Sequence, residues 1–109
     1  MTISGIMSSA VSALNAESSK VAATADNIAN MSTEGYAAKE VRATTLVTRQ
    51  TSGTAYAPGG VNIAVHETGQ VDIGNEFVKL IQARLAYGFN AQTLKTGEEM
   101  ARSLLDVVA

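Results

Sequence analysis

The chain has 109 residues, a formal net charge of −2, no cysteine, no tryptophan, two Phe and three Tyr. That size allows one domain at most, with a thin core, because many of its apolar residues are alanine. The near-balanced charge disfavours electrostatic binding to nucleic acid or an anionic membrane, and the lack of cysteine removes disulfides, thiolate metal sites and thiol chemistry.

Residues 3–31 predict a first helix. Met7, Leu14, Val21 and Ile28 recur every seven residues, and Ile3, Ile6, Ala10, Val11, Ala25 and Ala29 widen the same apolar side. Ser8, Ser12, Asn15, Ser19, Lys20 and Asp26 take the opposite side. The helix would be about 43 Å long at ~1.5 Å per residue. Ser32, Thr33, Glu34 and Gly35 stop it, with Gly35 as the natural left-handed residue. The opening residues lack the basic segment and uninterrupted apolar run of a cleavable leader. Export, if it occurs, is expected to remove no conventional leader. No stretch approaches the ~18 consecutive apolar residues of a spanning helix.

From 37 to 70 the period changes. Val41–Thr48 is rich in β-branched residues, and Val61–Val65 alternates with period two. Residues 51–60, which include Gly53, Pro58, Gly59 and Gly60, read as a polar, mobile connector. The expectation is a two-stranded hairpin, which is marginal alone and needs a helix or another chain to lean on.

Residues 72–107 predict a second helix. Asp72 is its N-cap, and Glu76 sits in the positive first turn. Ile73, Leu80, Tyr87, Leu94, Ala101 and Val108 form its heptad seam, with Leu105 beside it. Gly74, Gly88 and Gly97 each cost about 1 kcal/mol relative to Ala in a helix interior. They make sense where another backbone packs close, and otherwise mark points of bending.

The fold class is therefore mainly α: two long helices pack as an antiparallel or oligomeric coiled coil, with a small hairpin between them. The whole chain reads as a single domain, divided into a helix and turn over 1–36, a β segment over 37–70 and a helix over 71–109. One seam cannot offset the entropy of ordering such a helix, and a hairpin of two arms still leaves a side of each exposed. Oligomerisation is the expected solution. Met7, Leu14, Val21, Ile28, Leu80, Tyr87, Leu94 and Leu105 are the candidate assembly seam.

Chemistry is poorly represented. His66 stands alone in a strand without a ligand cluster or paired nucleophile, which predicts a surface residue. Adjacent Glu98 and Glu99 diverge on a helix and Asp106 lies two turns on, so Lys95 and Arg102 are their natural partners. The glycines around 53–60 lack the G-x-x-x-x-G-K pattern of a phosphate loop. Asn30-Met31-Ser32 matches a glycosylation sequon by chance. Arg84, Glu98 and Glu17 fall on the seams, either because the stripe drifts or because they fix register, and drift is the simpler account. No catalytic residue, cofactor site or metal site is assigned. The alternative to a polymerising structural subunit is a closed helical bundle, such as a dimeric adaptor or an export-chaperone-like module.

Ser12-Ala13-Leu14-Asn15-Ala16 leads into Asn27-Ile28-Ala29-Asn30-Met31-Ser32-Thr33-Glu34-Gly35-Tyr36. This resembles the N-terminal signature of bacterial flagellar rod and hook proteins, a helix ending in A-N-x-x-T-P-G-Y. Glu34 stands where proline is usual. Asn27, Asn30, Thr33, Gly35 and Tyr36 are the motif residues, read either as a helix stop or as an element recognised by a chaperone or export gate. At the other end Val71-Asp72-Ile73, Glu76–Tyr87, Asn90-Ala91, Lys95-Thr96 and Glu99-Met100 resemble the family's C-terminal helix. The resemblance implies a self-assembling structural subunit exported uncleaved by the flagellar type III apparatus. It implies a place in the periplasm-spanning rod of the basal body, a helical tube that carries motor torque to the hook, with other rod proteins as partners. The short middle segment is most like that of a small proximal rod subunit.

Overall fold

The computed structural model describes residues 2–48 and 57–109. In chain order it comprises α1 (Ile3–Ala29), β1 (Lys39–Thr48), β2 (Ala57–Glu67) and α2 (Ile73–Val108). The two helices lie antiparallel: the end of α1 meets the start of α2 at Asn27 and Glu76, and its beginning meets Gly97 through Met7. The mainly helical class with a small antiparallel ribbon is the one the sequence predicts.

The helix ends follow from local chemistry. The Thr2 hydroxyl accepts from Gly5 N at 3.1 Å, and Asp72 Oδ1 accepts from Gly74 N at 3.0 Å and Asn75 N at 3.2 Å. These caps satisfy amides that have no partner inside the helix. α1 stops at Ala29, two residues before the expected end, because Asn30 takes over the capping. Its side chain donates to Asp26 O at 2.9 Å, and Thr33 Oγ1 donates to Asn30 Oδ1 at 3.2 Å. Gly35 then turns the chain with φ +75°.

The ribbon is longer than its alternation suggests. Lys39 pairs with Glu67, Val41 with Val65, Ala43 with Ile63 and Thr45 with Val61, and a bulge between Thr45 and Val47 shifts the register. The connector expected over 51–60 lies outside the described residues as far as Tyr56, whereas residues 57–60 belong to β2. Gly59 and Gly60 read as loop formers, but Gly60 serves a close approach. It has φ +88°, and a Cβ there would lie 3.0 Å from Ser12 Oγ.

α1 holds the ribbon by two side chains that each complete both backbone groups of one strand residue. Ser12 Oγ accepts from Val61 N at 2.8 Å and donates to Val61 O at 3.1 Å. Asn27 does the same for Lys39, accepting from its N at 2.8 Å and donating to its O at 2.8 Å. Each acts as a one-residue neighbour strand on an otherwise free edge. Ser12→Ala is accordingly expected to lower stability by about 1–2 kcal/mol, since it leaves two backbone groups unpaired. The check is amide exchange, which should quicken at Val61 with α1 unaffected.

The core is small and partly polar. Ala10, Ala16, Ala38 and Ala83 are its buried apolar residues, joined by Glu17, Thr24, Asn27 and Glu76. Alanine lets the helices approach closely, and the larger seam residues flank that contact instead of filling it. Gly97 is buried, and a Cβ on it would lie 3.0 Å from Met7 Cγ. Nothing approaches Gly88 within 4 Å, so close packing does not explain that glycine.

Candidate assembly site

The motif residues converge on a polar node where α1, β1 and α2 meet. Asn27 is 0% exposed and Glu76 2%. Besides its pair of bonds to Lys39, the Asn27 amide donates to Glu76 Oε2 at 3.1 Å and accepts from the Tyr36 hydroxyl at 2.9 Å. Lys79 Nζ lies 3.3 Å from Glu76 Oε1, one helical turn on. Every hydrogen-bonding position of the Asn27 amide is thus filled, which is what permits its full burial. The helix-stop reading of Asn30, Thr33 and Gly35 describes their geometry, and Tyr36 packs back onto α1. Sequence reasoning assigned Asn27 to that stop and missed its link to α2. The signal was present in Glu76, a first-turn carboxylate that stands seven residues before Ala83 on one line of the helix.

An exposed ion pair flanks the node. Lys39 Nζ lies 2.7 Å from Asp26 Oδ2, and 5.8 Å from the centre of the Tyr36 ring. The hydrogen bond from Lys39 holds the Asp26 carboxyl below its ordinary 3.8, and the same bond raises Lys39 above 10.5. Burial of the Tyr36 hydroxyl, and then the Asp26 charge, raises Tyr36 above 10.0. The signs define a window. The Asp26 contribution exists above the ordinary carboxylate value and is lost as pH falls through the lowered one. The Lys39 contribution exists below the ordinary ammonium value and is lost as pH rises through the raised one. Asp26→Asn should therefore be less stable than the parent at neutral pH, with the gap narrowing at an acid pH below the ordinary 3.8. Urea unfolding of both chains at the two pH values checks this.

The predicted seam divides into two sets. Met7, Leu14, Val21, Ile28, Leu80 and Leu94 are partly buried between the helices. Tyr87 is 46% exposed, and Leu105 is 70% exposed. Leu105 lies beyond the pairing because Ala101 already sits beside Ile3 and Ser4 in an open groove at the start of α1. Residues 102–108 thus continue about 10 Å past that point, at 1.5 Å per residue. They carry the exposed Leu104, Leu105, Val107 and Val108. Arg84 and Glu98 face solvent, with Glu98 2.6 Å from Arg102, whereas Glu17 is buried and paired with Lys20 of its own helix at 2.8 Å. His66 is exposed on β2.

A second apolar stripe on α2 went unread in the sequence. Phe77, Val78, Ile81, Leu85 and Phe89 recur at spacings of three and four on the side away from α1 and are 50–72% exposed. With Glu76, Leu80, Ala83 and Leu94 turned toward α1, the helix has two apolar faces and one intramolecular partner. A helix covered on all sides is apolar all round, and this one has a second apolar face that no element of its own chain covers. No helix among the described residues is long and apolar enough to cross a membrane. Among the same residues, no cluster of three or more His, Cys, Asp or Glu is placed to hold a metal ion.

This is the geometry of a structural subunit: two long arms, a pinned ribbon and an uncovered apolar face. The family profile described as flagella basal body rod protein matches residues 7–36. The profile of the C-terminal region of the flagellar basal body rod proteins FlgEFG matches residues 66–107. The flagellar hook protein FlgE of Caulobacter vibrioides is 40% identical over 67 residues, 62% of this chain and 11% of the relative. The FlgE proteins of Brucella abortus and Brucella suis are each 41% identical over 61 residues, 56% of this chain and 15% of each relative. The chain thus corresponds to a minor part of these hook proteins' length. It belongs to the bacterial flagellar rod and hook family of axial structural proteins, as the two end motifs imply.

Proposed function

We propose that the chain is a subunit of the flagellar basal-body rod that assembles through its two helices into a helical tube transmitting torque to the hook. The observation that carries this reading is the two-faced α2, whose Phe77–Phe89 stripe lacks an intramolecular partner. A subunit that presents one apolar face to its own chain and another to a neighbour makes heterologous contacts, and such contacts extend into filaments when they do not close. Thirty-six residues of α2 against a small alanine core leave the arms dependent on neighbours for much of their burial. That suits a subunit passed unassembled through the type III export apparatus and ordered on arrival. The seam residues Met7, Leu14, Val21, Ile28, Leu80, Tyr87, Leu94 and Leu105 supply the packing, and the role is mechanical.

The hook is the second reading, favoured by the names of the matched relatives. The short Lys39–Glu67 ribbon between the arms favours a small rod subunit over it. Light scattering with circular dichroism across a concentration series tests assembly. Mass growing together with helicity and without a plateau supports the polymerising subunit, whereas a fixed dimer or tetramer at every concentration means a closed adaptor. Locating an epitope-tagged chain in basal bodies stripped of hooks separates rod from hook.

A further inference from the structure

The heptad seam does not by itself explain the register in which the two arms pair. Sliding α2 by seven residues along α1 returns apolar positions to the same face, the property that makes heptad seams prone to slippage. In one direction the slide even brings Leu104 opposite Met7, drawing Leu104, Leu105 and Val108 out of water. The observed register leaves all three exposed.

Besides the short 70–72 link to Gly69, held by Ala38, and Asn90, which would enter the buried place of Ala83, two features oppose that slide. The first is the bond between Asn27 and Glu76, both buried. In the slid register Ala83 would face Asn27, leaving one amide hydrogen without an acceptor and separating Glu76 from its donor. The second is Gly97 over Met7, where Leu104 would meet Met7 Cγ. Met7 is flexible and partly exposed, so the second obstacle yields more readily. Glu17, the other buried acid on α1, carries its partner Lys20 on the same helix and is satisfied in any register. Only the Asn27–Glu76 bond joins buried polar groups of the two helices, and its partners meet at one offset alone.

We infer that the Asn27–Glu76 bond is a register key: it fixes the offset of the two arms and keeps the apolar end of α2 projecting past α1. A lone polar contact in an apolar seam selects one alignment because every other alignment strands it. Asn27 also clamps Lys39, so the key ties the ribbon to the same offset. The inference concerns the chain's own fold, and its failure would leave the axial-subunit reading untouched.

The chain's lack of cysteine allows clean spin labelling at Ser8→Cys on α1 and Gln82→Cys on α2, both exposed. Dilution with unlabelled chain confines pulsed dipolar spectroscopy to distances within one molecule. The parent and E76Q, which keeps an acceptor oxygen, should give one distance. E76L should add a population lengthened by about 10 Å, seven residues at 1.5 Å each. M7A, which removes the steric obstacle and leaves the key, should keep the single parent distance. An E76L chain with only the parent distance overturns the inference, as does displacement in M7A without displacement in E76L. If E76L loses its helical signal, E76A/A83E decides, because it moves the carboxylate one heptad along α2. Helicity regained at the longer distance supports the key, and continued loss overturns it.

Discussion

Replacing Asn27 by alanine is expected to lower the free energy of unfolding by about 4 kcal/mol. The side chain completes both backbone groups of Lys39, receives the Tyr36 hydroxyl and donates to Glu76. Alanine would leave four partners short of a bond, each worth about 1–3 kcal/mol when buried. The lower part of the summed range applies because Lys39 and Tyr36 are partly exposed and recover water, whereas Glu76 does not. Urea unfolding followed at 222 nm reads the loss, and amide exchange should show Lys39 and the start of α2 opening together. Asn27→Asp sharpens the case. It retains the two acceptor bonds but sets a second carboxylate about 3 Å from Glu76, and two like charges so close cannot both ionise cheaply. Asp72→Ala offers a scale, since loss of an exposed helix cap costs about 1 kcal/mol. An Asn27→Ala chain no less stable than Asp72→Ala would show that the node is incidental to the fold.

The periodic elements were legible in the sequence because the helices obey one rule throughout. The heptads placed α1 and α2 within two residues of their observed ends, and Asp72 announced its cap through its own chemistry. What escaped was set by contacts between distant segments. Gly59 and Gly60 carry the composition of a loop, but Gly60 is a strand residue that lets Ser12 reach the backbone. Nothing local distinguishes those two uses of glycine. The thin alanine core is legible in the composition, but the part that Glu17, Thr24, Asn27 and Glu76 take in the tight contact is not. Asn27 could be marked as a motif residue from sequence order alone, but its acceptor lies 49 positions away. The outer stripe of α2 was hidden because a heptad count follows one face, and Phe77, Ile81, Leu85 and Phe89 advance by four along another.

That second face carries the other large expected effect. Leu85→Asp should weaken self-association by at least ~100-fold while leaving the isolated fold intact. Leu85 is 57% exposed, so its replacement touches little inside the monomer, and surface changes of this kind usually stay within about 0.5 kcal/mol. In an assembly the same position would be covered. Burying a leucine contributes about 1.5–3 kcal/mol, and forcing an unpaired carboxylate into its place costs several more, together well beyond the ~2.7 kcal/mol that a hundredfold change represents. The contrast with Leu80→Asp is informative. Leu80 is partly buried on the side facing α1, so its replacement should lower fold stability as well as assembly, and its failure to assemble would not identify a surface. Lys95→Ala, on an exposed side chain outside the stripe, should change neither. Sedimentation velocity gives the association, and thermal unfolding of dilute chain gives the fold. A Leu85→Asp chain that assembles like the parent would remove the outer face of α2 from the contact and leave the half-covered seam against α1 to carry it. The two arms would then have to part before neighbours could pair, and assembly would be limited by opening of the monomer instead of by encounter.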